Sequence, residues 1–424
     1  MLRQIQRPYD RTQRLRSILT SSGIVAAALI SWSVSASAQT ISQRGFIEGR
    51  GFVFPLTAPN DTTQTIGDLL IREEVFLKPA PWVQFAAGLD LRANSHDQVE
   101  SEWRLDLDDR SIRRPRAALR RVTATFTAPH FTLDVGKQFI RWARADVLNP
   151  IDRFAPRDYM NVIDTDVLPV IGVRPSVQVG HETFEVVWVP RLTPSRLPLI
   201  NQRWTVLPPE LEGVPIDDRG SIIPERSEQG VRWNHVGERF EAGLSFFDGF
   251  NHLPNIESRP QPTGIELTRV YPALRSYGGD MAIPTARLTL KGEAAYFTSP
   301  TSTNDEYVLY VVELERQVGE WVLVGGYAGE VVTKSTDTFP FAPDRGIARS
   351  ILGRAAYTVD PRRSVAIEGA ARLNGVYIKG EYSQSFAQHW RLTLTGVGIG
   401  GSPDDFLGQY RRNSHGSAAV RFSF

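Results

Sequence analysis

The chain of 424 residues contains no cysteine. It therefore forms no disulfide and offers no thiolate metal ligand or cysteine nucleophile, which suits an exported chain that needs no thiol. Long apolar runs are missing as well. No internal stretch reaches the roughly 18 apolar residues of a membrane-crossing helix. Lysine is scarce: past residue 38 there are only Lys78, Lys137, Lys291, Lys334 and Lys379, whereas arginine is abundant. Of the seven histidines, His130, His181, His235 and His389 fall at short turns, where a solvated role is the default. No Ser–His–acid set, phosphate-cradling loop, dinucleotide fingerprint or metal-ligand cluster emerges, so the chain is expected to be no enzyme and to need no cofactor or metal.

What is present looks at first like a soluble protein, with 22% charged and 41% hydrophobic residues and a mean hydropathy of −0.24. A membrane barrel averages out the same way, because its strands alternate apolar and polar residues. The N-terminus sets the compartment. Arg3, Arg7, Arg11, Arg14 and Arg16 precede a small, apolar stretch from Ile18 to Trp32, and Ser35-Ala36-Ser37-Ala38 supplies a signal-peptidase site. Residues 1–38 are expected to be cleaved, leaving 39–424 as one domain. Cleavage removes five arginines and Asp10, so the formal charge of +1 becomes −3, and nothing points to nucleic acid.

Beyond residue 40 apolar residues recur with period two. Val83, Phe85, Ala87, Leu89 and Leu91 share one face, and Gln84, Ala86, Gly88, Asp90 and Arg92 share the other. Similar alternation runs through Leu288–Tyr296, Val365–Leu373, Phe240–Phe246 and Val308–Leu314. The apolar faces are rich in Gly and Ala and the opposite faces in charge, as lipid outside and water inside require. Trp82, Trp321, Tyr357 and Trp390 sit at strand ends, where an interfacial girdle would place them. Tight turns such as Ala128-Pro129-His130, Gly180-His181-Glu182 and Val359-Asp360-Pro361 alternate with long polar stretches at 94–115, 140–170, 190–226 and 249–274. Short periplasmic turns and longer extracellular loops are the mark of a transmembrane antiparallel β-barrel. About eighteen strands fit the pattern, or sixteen if the region 249–286 or the pair near Asn374-Gly375 is misassigned. An all-β barrel of that size is too wide for its own side chains to fill, so a water-filled lumen is expected.

Alternation points Asp90, Arg92, Arg121, Asp134, Glu185, Arg232, Arg287, Lys291, Glu293, Glu313, Arg354, Glu368, Arg372, Lys379, Glu381, Arg391 and Arg421 into that lumen, since a charge facing lipid at mid-depth costs about 2–4 kcal/mol. Stretch 140–170 is the distinctive one, expected to fold inward as a pore constriction. Its Arg141, Arg144, Arg153 and Arg157 stand against Asp146, Asp152, Asp158 and Asp164, a set able either to contact solutes or to brace the loop. The proline-rich stretch 190–226, with Arg191, Arg196, Arg203 and Trp204, is a second cover for the mouth. Arginine binds carboxylate and phosphate with two parallel hydrogen bonds, which leans toward anionic solutes.

The strand end Gly136-Lys137-Gln138-Phe139, followed by Arg141-Trp142-Ala143-Arg144-Ala145-Asp146 and Asn149-Pro150, resembles outer-membrane barrels related to porins and to alginate-export-type channels. The specific part covers about 35 residues, and the chain lacks the long basic ladder of an alginate exporter, because its acids are as frequent as its arginines. The resemblance implies transport and supplies no catalytic motif. Three functions follow as expectations: diffusion of small hydrophilic solutes, a gated barrel serving a partner envelope transport system, or an adhesin-like barrel binding through its loops. Expected partners are outer-membrane lipid and lipopolysaccharide, the barrel-assembly machinery (addressed by the alternating end Ala418 to Phe424) and small polar solutes. The barrel is expected as a homotrimer or a monomer in the bacterial outer membrane.

Overall fold

The computed structural model describes residues 41–424 apart from 208–210, 212, 302–303 and 337–341. The expected signal peptide lies outside the described residues. Eighteen strands form a single closed antiparallel sheet. The first six are β1 (Ile41–Val53), β2 (Thr65–Ala80), β3 (Val83–Asn94), β4 (Ala117–Ala128), β5 (Phe131–Gln138) and β6 (Val170–Val179). Next come β7 (Glu182–Val189), β8 (Glu228–Val236), β9 (Glu241–Phe250), β10 (Ala273–Pro284), β11 (Thr289–Thr298) and β12 (Glu306–Val318). The last are β13 (Trp321–Lys334), β14 (Ser350–Asp360), β15 (Arg363–Ala371), β16 (Gly375–Phe386), β17 (Trp390–Gly401) and β18 (His415–Ser423). Strand β18 pairs with β1 from Phe46↔Ser423 to Val53↔Gly416, which closes the ring and leaves no free edge. Asn374-Gly375 does open β16, so the count stands at eighteen rather than sixteen.

Closure is what the sequence pattern needs. Lipid offers backbone groups no hydrogen bonds, so each strand must satisfy them on both sides. Side chains then divide cleanly. Ile47, Leu69, Phe85, Val122, Leu244, Val312, Leu314, Ile351, Ile367, Ile378, Leu394 and Val420 are exposed large hydrophobics on the outer face. An aromatic belt lies at the short-turn end, where Trp82 stacks on Phe126, and Trp321 and Trp390 make tilted ring contacts with Tyr357 and Phe422. Tyr277, Tyr296, Tyr310 and Tyr327 form its counterpart nearer the long loops. Girdles of this kind anchor a barrel at the two water–lipid boundaries.

The long loops carry structure of their own. Ile216–Ile222, Asn255–Gln261 and Gly264–Val270 make a three-stranded sheet at the mouth that period-two reading of the barrel strands does not reveal. The connection between β5 and β6, residues 139–169, turns into the barrel. Its Ile140, Trp142, Ala145, Leu148, Ile151 and Phe154 join one buried cluster with Val187, Phe247, Ala295, Phe297, Leu309 and Val311 from the inner wall.

Candidate functional site

The inward loop is held by its backbone. A chain crossing a lumen has no sheet to receive its amides, and burying them unpaired is costly. Wall carboxylates take that role. Glu293 of β11 accepts from the amides of Arg144 (3.1 Å), Ala145 (3.4 Å) and Ile151 (2.9 Å). Glu313 of β12 accepts from those of Asp146 (2.8 Å) and Val147 (3.1 Å). Within the loop, Asp152 accepts from Trp142 and Ala143 at 2.5 and 2.8 Å. The Trp142 indole donates to Glu185 of β7. The Arg144 guanidinium reaches Asp280, Glu241 and Asn234 on β8–β10. Two wall glycines make the seat: a Cβ at Gly230 would lie 2.8 Å from Phe154 and 2.9 Å from Trp142, and one at Gly278 would lie 2.5 Å from Ile151.

The far end of the loop approaches the opposite wall. Asp164 lies 3.2 Å from Arg50 of β1 and 3.6 Å from Lys379 of β16, and Asp166 lies 3.9 Å from Arg92 of β3. Three cavities surround this tip. One of about 180 Å³ is lined by Glu48, Arg50, Asp68, Arg92, Asn161 and Asp164 among others. One of about 100 Å³ lies between Arg50, Asp164, Lys379, Glu381, Thr393 and Ser417. A third, of about 260 Å³, runs beside Asp146, Arg157, Thr165, Asp344, Arg354, Glu368 and Tyr377. The polar space inside the barrel thus lies around the Ile163-Asp164 tip.

Charge divides between the two sides. On β7–β13 the inward ionisable residues are Glu185, Glu228, Glu241, Asp280, Glu293, Glu313, Glu315 and Glu330, with only Arg232 and Lys291 against them among the described residues. On β16–β18 and β1–β4 they include Lys379, Arg391, Arg421, Arg44, Arg50, Arg72, Arg92, Arg120 and Arg121, with His415 of β18, against Glu381, Glu48, Asp68, Glu74 and Asp90. Asp90 is shared by Arg72 (2.7 Å), Arg92 (3.2 Å) and Arg120 (3.8 Å). The register of β3 against β4 slips between Gly88 and Leu89, so Arg121 opposes Gly88 and Leu119 opposes Leu89. The extra residue turns Arg120 inward beside Arg121, and both guanidinium groups lie over the Phe139 ring at 4.7 and 5.5 Å. Arg391 opposes Arg421 across β17 and β18, and Arg421 alone of the two meets an acid, Glu48 at 2.6 Å.

Several residues expected to meet solutes occupy other positions. Arg144 and Asp152 of the loop are braces, with Asp152 buried, whereas Glu293 and Glu313 point inward as the alternation expects and hold loop amides, with Glu313 sealed from solvent. Arg153 lies over the Phe297 ring, mostly covered, and 3.7 Å from Asp344. Asp158 is buried between Arg114 (2.8 Å) and Arg196 (2.8 Å), tying the connection 95–116 to the inward loop and to the connection 190–227. Burial works to raise the Asp158 carboxyl, but the two guanidinium groups win and hold it well below the usual carboxylate range. Arg287 is exposed in the turn between β10 and β11, where the alternation has already ended. Arg372 lies just past β15 and pairs with Asp405 at 3.1 Å in the connection 402–414, away from the wall. Arg141 remains half-exposed on Asp152, Asp146 pairs with Lys291 at 2.8 Å, and Arg157 donates to Asn149 and Thr165 beside the third cavity. Asp90, Arg92, Arg121, Glu368, Lys379, Glu381 and Arg391 do point inward.

Arg50, Arg72 and Arg120 were not expected. For Arg50 the signal was there, in the alternation of Glu48, Arg50 and Phe52 with glycines. Arg72 sits in Leu69-Leu70-Ile71-Arg72-Glu73-Glu74, where apolar and charged pairs hide the period, and only a bulge turns Arg120 inward.

No protein-family model matches the chain, and no curated protein matches its sequence. Solved structures do. It is similar to OccAB4 of Acinetobacter baumannii, with a TM-score of 0.55 and 10% identity over 92% of this chain and 100% of that one. It is similar to a BenF-like porin from Pseudomonas fluorescens Pf-5, with a TM-score of 0.53 and 8% identity over 91% of this chain and 97% of that one. The outer-membrane protein OpdK of Pseudomonas aeruginosa gives a TM-score of 0.51 and 9% identity over 90% of this chain and 99% of that one. At such identities the likeness is one of fold, and the fold is that of the outer-membrane porins.

Proposed function

We propose that this barrel is a porin-like channel that lets small hydrophilic solutes, anions preferred, diffuse across the outer membrane. The observation that carries this reading is the division of charge: five acids of the acidic arc (Glu185, Glu241, Asp280, Glu293 and Glu313) brace the inward loop, Glu228, Glu315 and Glu330 are paired with His252, Lys291 and Arg345, and the arginine-rich arc faces the space that remains. A field of one sign across a narrow, low-dielectric passage raises the local concentration of the opposite ion. Segment 161–166 sets the steric limit, with Arg50, Lys379 and Arg92 as the groups a passing anion would meet. No catalytic role is assigned to any residue. Lipid contacts the apolar outer face, and the C-terminal strand addresses the chain to the assembly machinery.

The test is single-channel conductance of refolded residues 39–424 in a planar bilayer, with the reversal potential read in a salt gradient. Open steps with an anion-selective reversal potential support the reading, and a cation-selective or silent barrel overturns it. One observation favours a second reading, a gated channel. Asp164 is engaged from two sides by Arg50 and Lys379, which closes the gap between loop and wall. A barrel that is silent until Asp164→Asn is introduced would identify that contact as the gate.

A further inference from the structure

The outer face of the barrel carries a charged group where β9 and β10 approach the long loops. Asp248 and Arg275 are cross-strand partners there, on the face shared with Phe246 and Tyr277. The Asp248 carboxylate accepts from Arg275 Nε at 3.1 Å and from Arg226 Nη1 at 2.8 Å. Arg226 also donates to the Gly249 carbonyl at 3.0 Å and lies over the Phe250 ring at 5.0 Å. One carboxylate therefore orients two guanidinium groups and leaves the trio with a net positive charge. Asp248 is mostly covered, at 13% side-chain exposure, whereas Arg226 and Arg275 are 49% and 52% exposed. Both Nη groups of Arg275 have no partner among the described residues.

Depth gives this group its meaning. Tyr277 stands two residues below Arg275 on the same face, half-exposed, with its ring 5.2 Å from that of Phe246. Two residues of strand span about 6–7 Å. The tyrosine belt marks the upper edge of the hydrocarbon, so the arginines lie in the head-group layer just above it. Across the barrel, the outward positions near the ends of β1, β2 and β18 are Val53, Gly67 and Gly416, with no charge. Half-exposed ion pairs contribute little to stability, so stability alone gives no reason to keep three charges at a lipid boundary.

We propose that Arg226 and Arg275 bind a phosphate of the phosphorylated glycolipid of the outer leaflet, with Asp248 as the residue that positions their forks. The planar guanidinium matches phosphate with paired hydrogen bonds, and basic groups beside an aromatic belt are what a phosphorylated head group requires. The inference is independent of the channel reading, because neither arginine faces the lumen.

The test is native mass spectrometry of detergent-solubilised residues 39–424 titrated with bisphosphorylated lipid A and with the same lipid enzymatically dephosphorylated. The wild-type chain should retain the phosphorylated form at least about tenfold more tightly, and R226A/R275A should remove most of that difference. Inorganic phosphate in millimolar excess should compete weakly, because it lacks the acyl chains that the outer face holds. Conductance of R226A/R275A should match wild type, which separates this site from the pore. Equal retention of the two lipids by wild type, or an unchanged preference in a folded R226A/R275A barrel, overturns the proposal. The comparison of lipids on wild type decides the matter even if the double variant fails to fold.

Discussion

The arc β7–β13 and the arc made by β16–β18 with β1–β4 share one backbone plan and differ in what their inward side chains meet. On the first arc, carboxylates meet the amides of a folded-in loop, and apolar residues such as Phe247, Phe297 and Leu309 meet its underside. On the second, arginines and Lys379 meet water, a few acids and the tip of the same loop. The first arc is therefore a foundation and the second a lining. A lumen-facing charge is thus no guide to solute contact by itself, because half of the wall is spent on holding the loop that narrows the other half.

Removing the loop should have the largest effect. Replacing residues 143–166 by a short Gly-Ser linker is expected to raise single-channel conductance severalfold and to weaken anion preference, since both the steric limit and the narrow basic passage go with it. An unchanged conductance would show that the loop does not occupy the path. Reversing charge on the lining comes next. Arg50→Glu with Lys379→Glu should move the reversal potential from the anion-selective to the cation-selective side, read in a salt gradient. The same reversal potential in the double variant would remove those residues from the pore.

Arg144→Ala sharpens the comparison in the opposite sense. It leaves Asp280 buried with Arg232 and strips one brace from the loop. Because Asp280 keeps Arg232, the cost is that of lost charge-assisted hydrogen bonds, about 1.5–3 kcal/mol. The heat-modifiable band on a gel should unfold at lower temperature, while ion preference changes little. A large selectivity shift with unaltered stability would return Arg144 to the lining. The Asp158 clasp gives a smaller and pH-specific effect. Its folded-state value lies below an unfolded one of about 4, so its stabilisation is fully present above that unfolded value and is lost only as pH falls through the folded value. Loop protection against protease should therefore be flat from pH 7 down to about 4, and Asp158→Asn should lower it throughout that window. A protection step between pH 7 and 5 that vanishes in Asp158→Asn would contradict this. Arg287→Ala, in its exposed turn, should leave conductance and preference within error of wild type.

Much of the fold was legible because closure in lipid imposes a rule on every strand. Asp90, Arg92, Lys379 and Arg391 are inward for the same reason that Phe85, Leu89, Ile378 and Leu394 are outward. The site was legible in part. The aromatic and charged content of 140–170 marks a loop that folds inward, but it does not tell a brace from a contact. Arg144 and Arg157 look alike in sequence, yet Arg144 meets β8–β10, whereas Arg157 stays within the loop beside a cavity.

The chain by itself determined the alternation, the tight turns and the polarity of the two faces, because each follows from neighbours along one strand, and it narrowed the strand count to sixteen or eighteen. The tertiary structure alone decided the slip that turns Arg120 inward, the capture of loop amides by Glu293 and Glu313, and the separation of acidic from basic arcs. The slip depends on how adjacent strands β3 and β4 pair, and the other two depend on residues that meet across the lumen, as Glu293 and Glu313 meet loop amides 142 and 167 positions away; local periodicity carries no information about either.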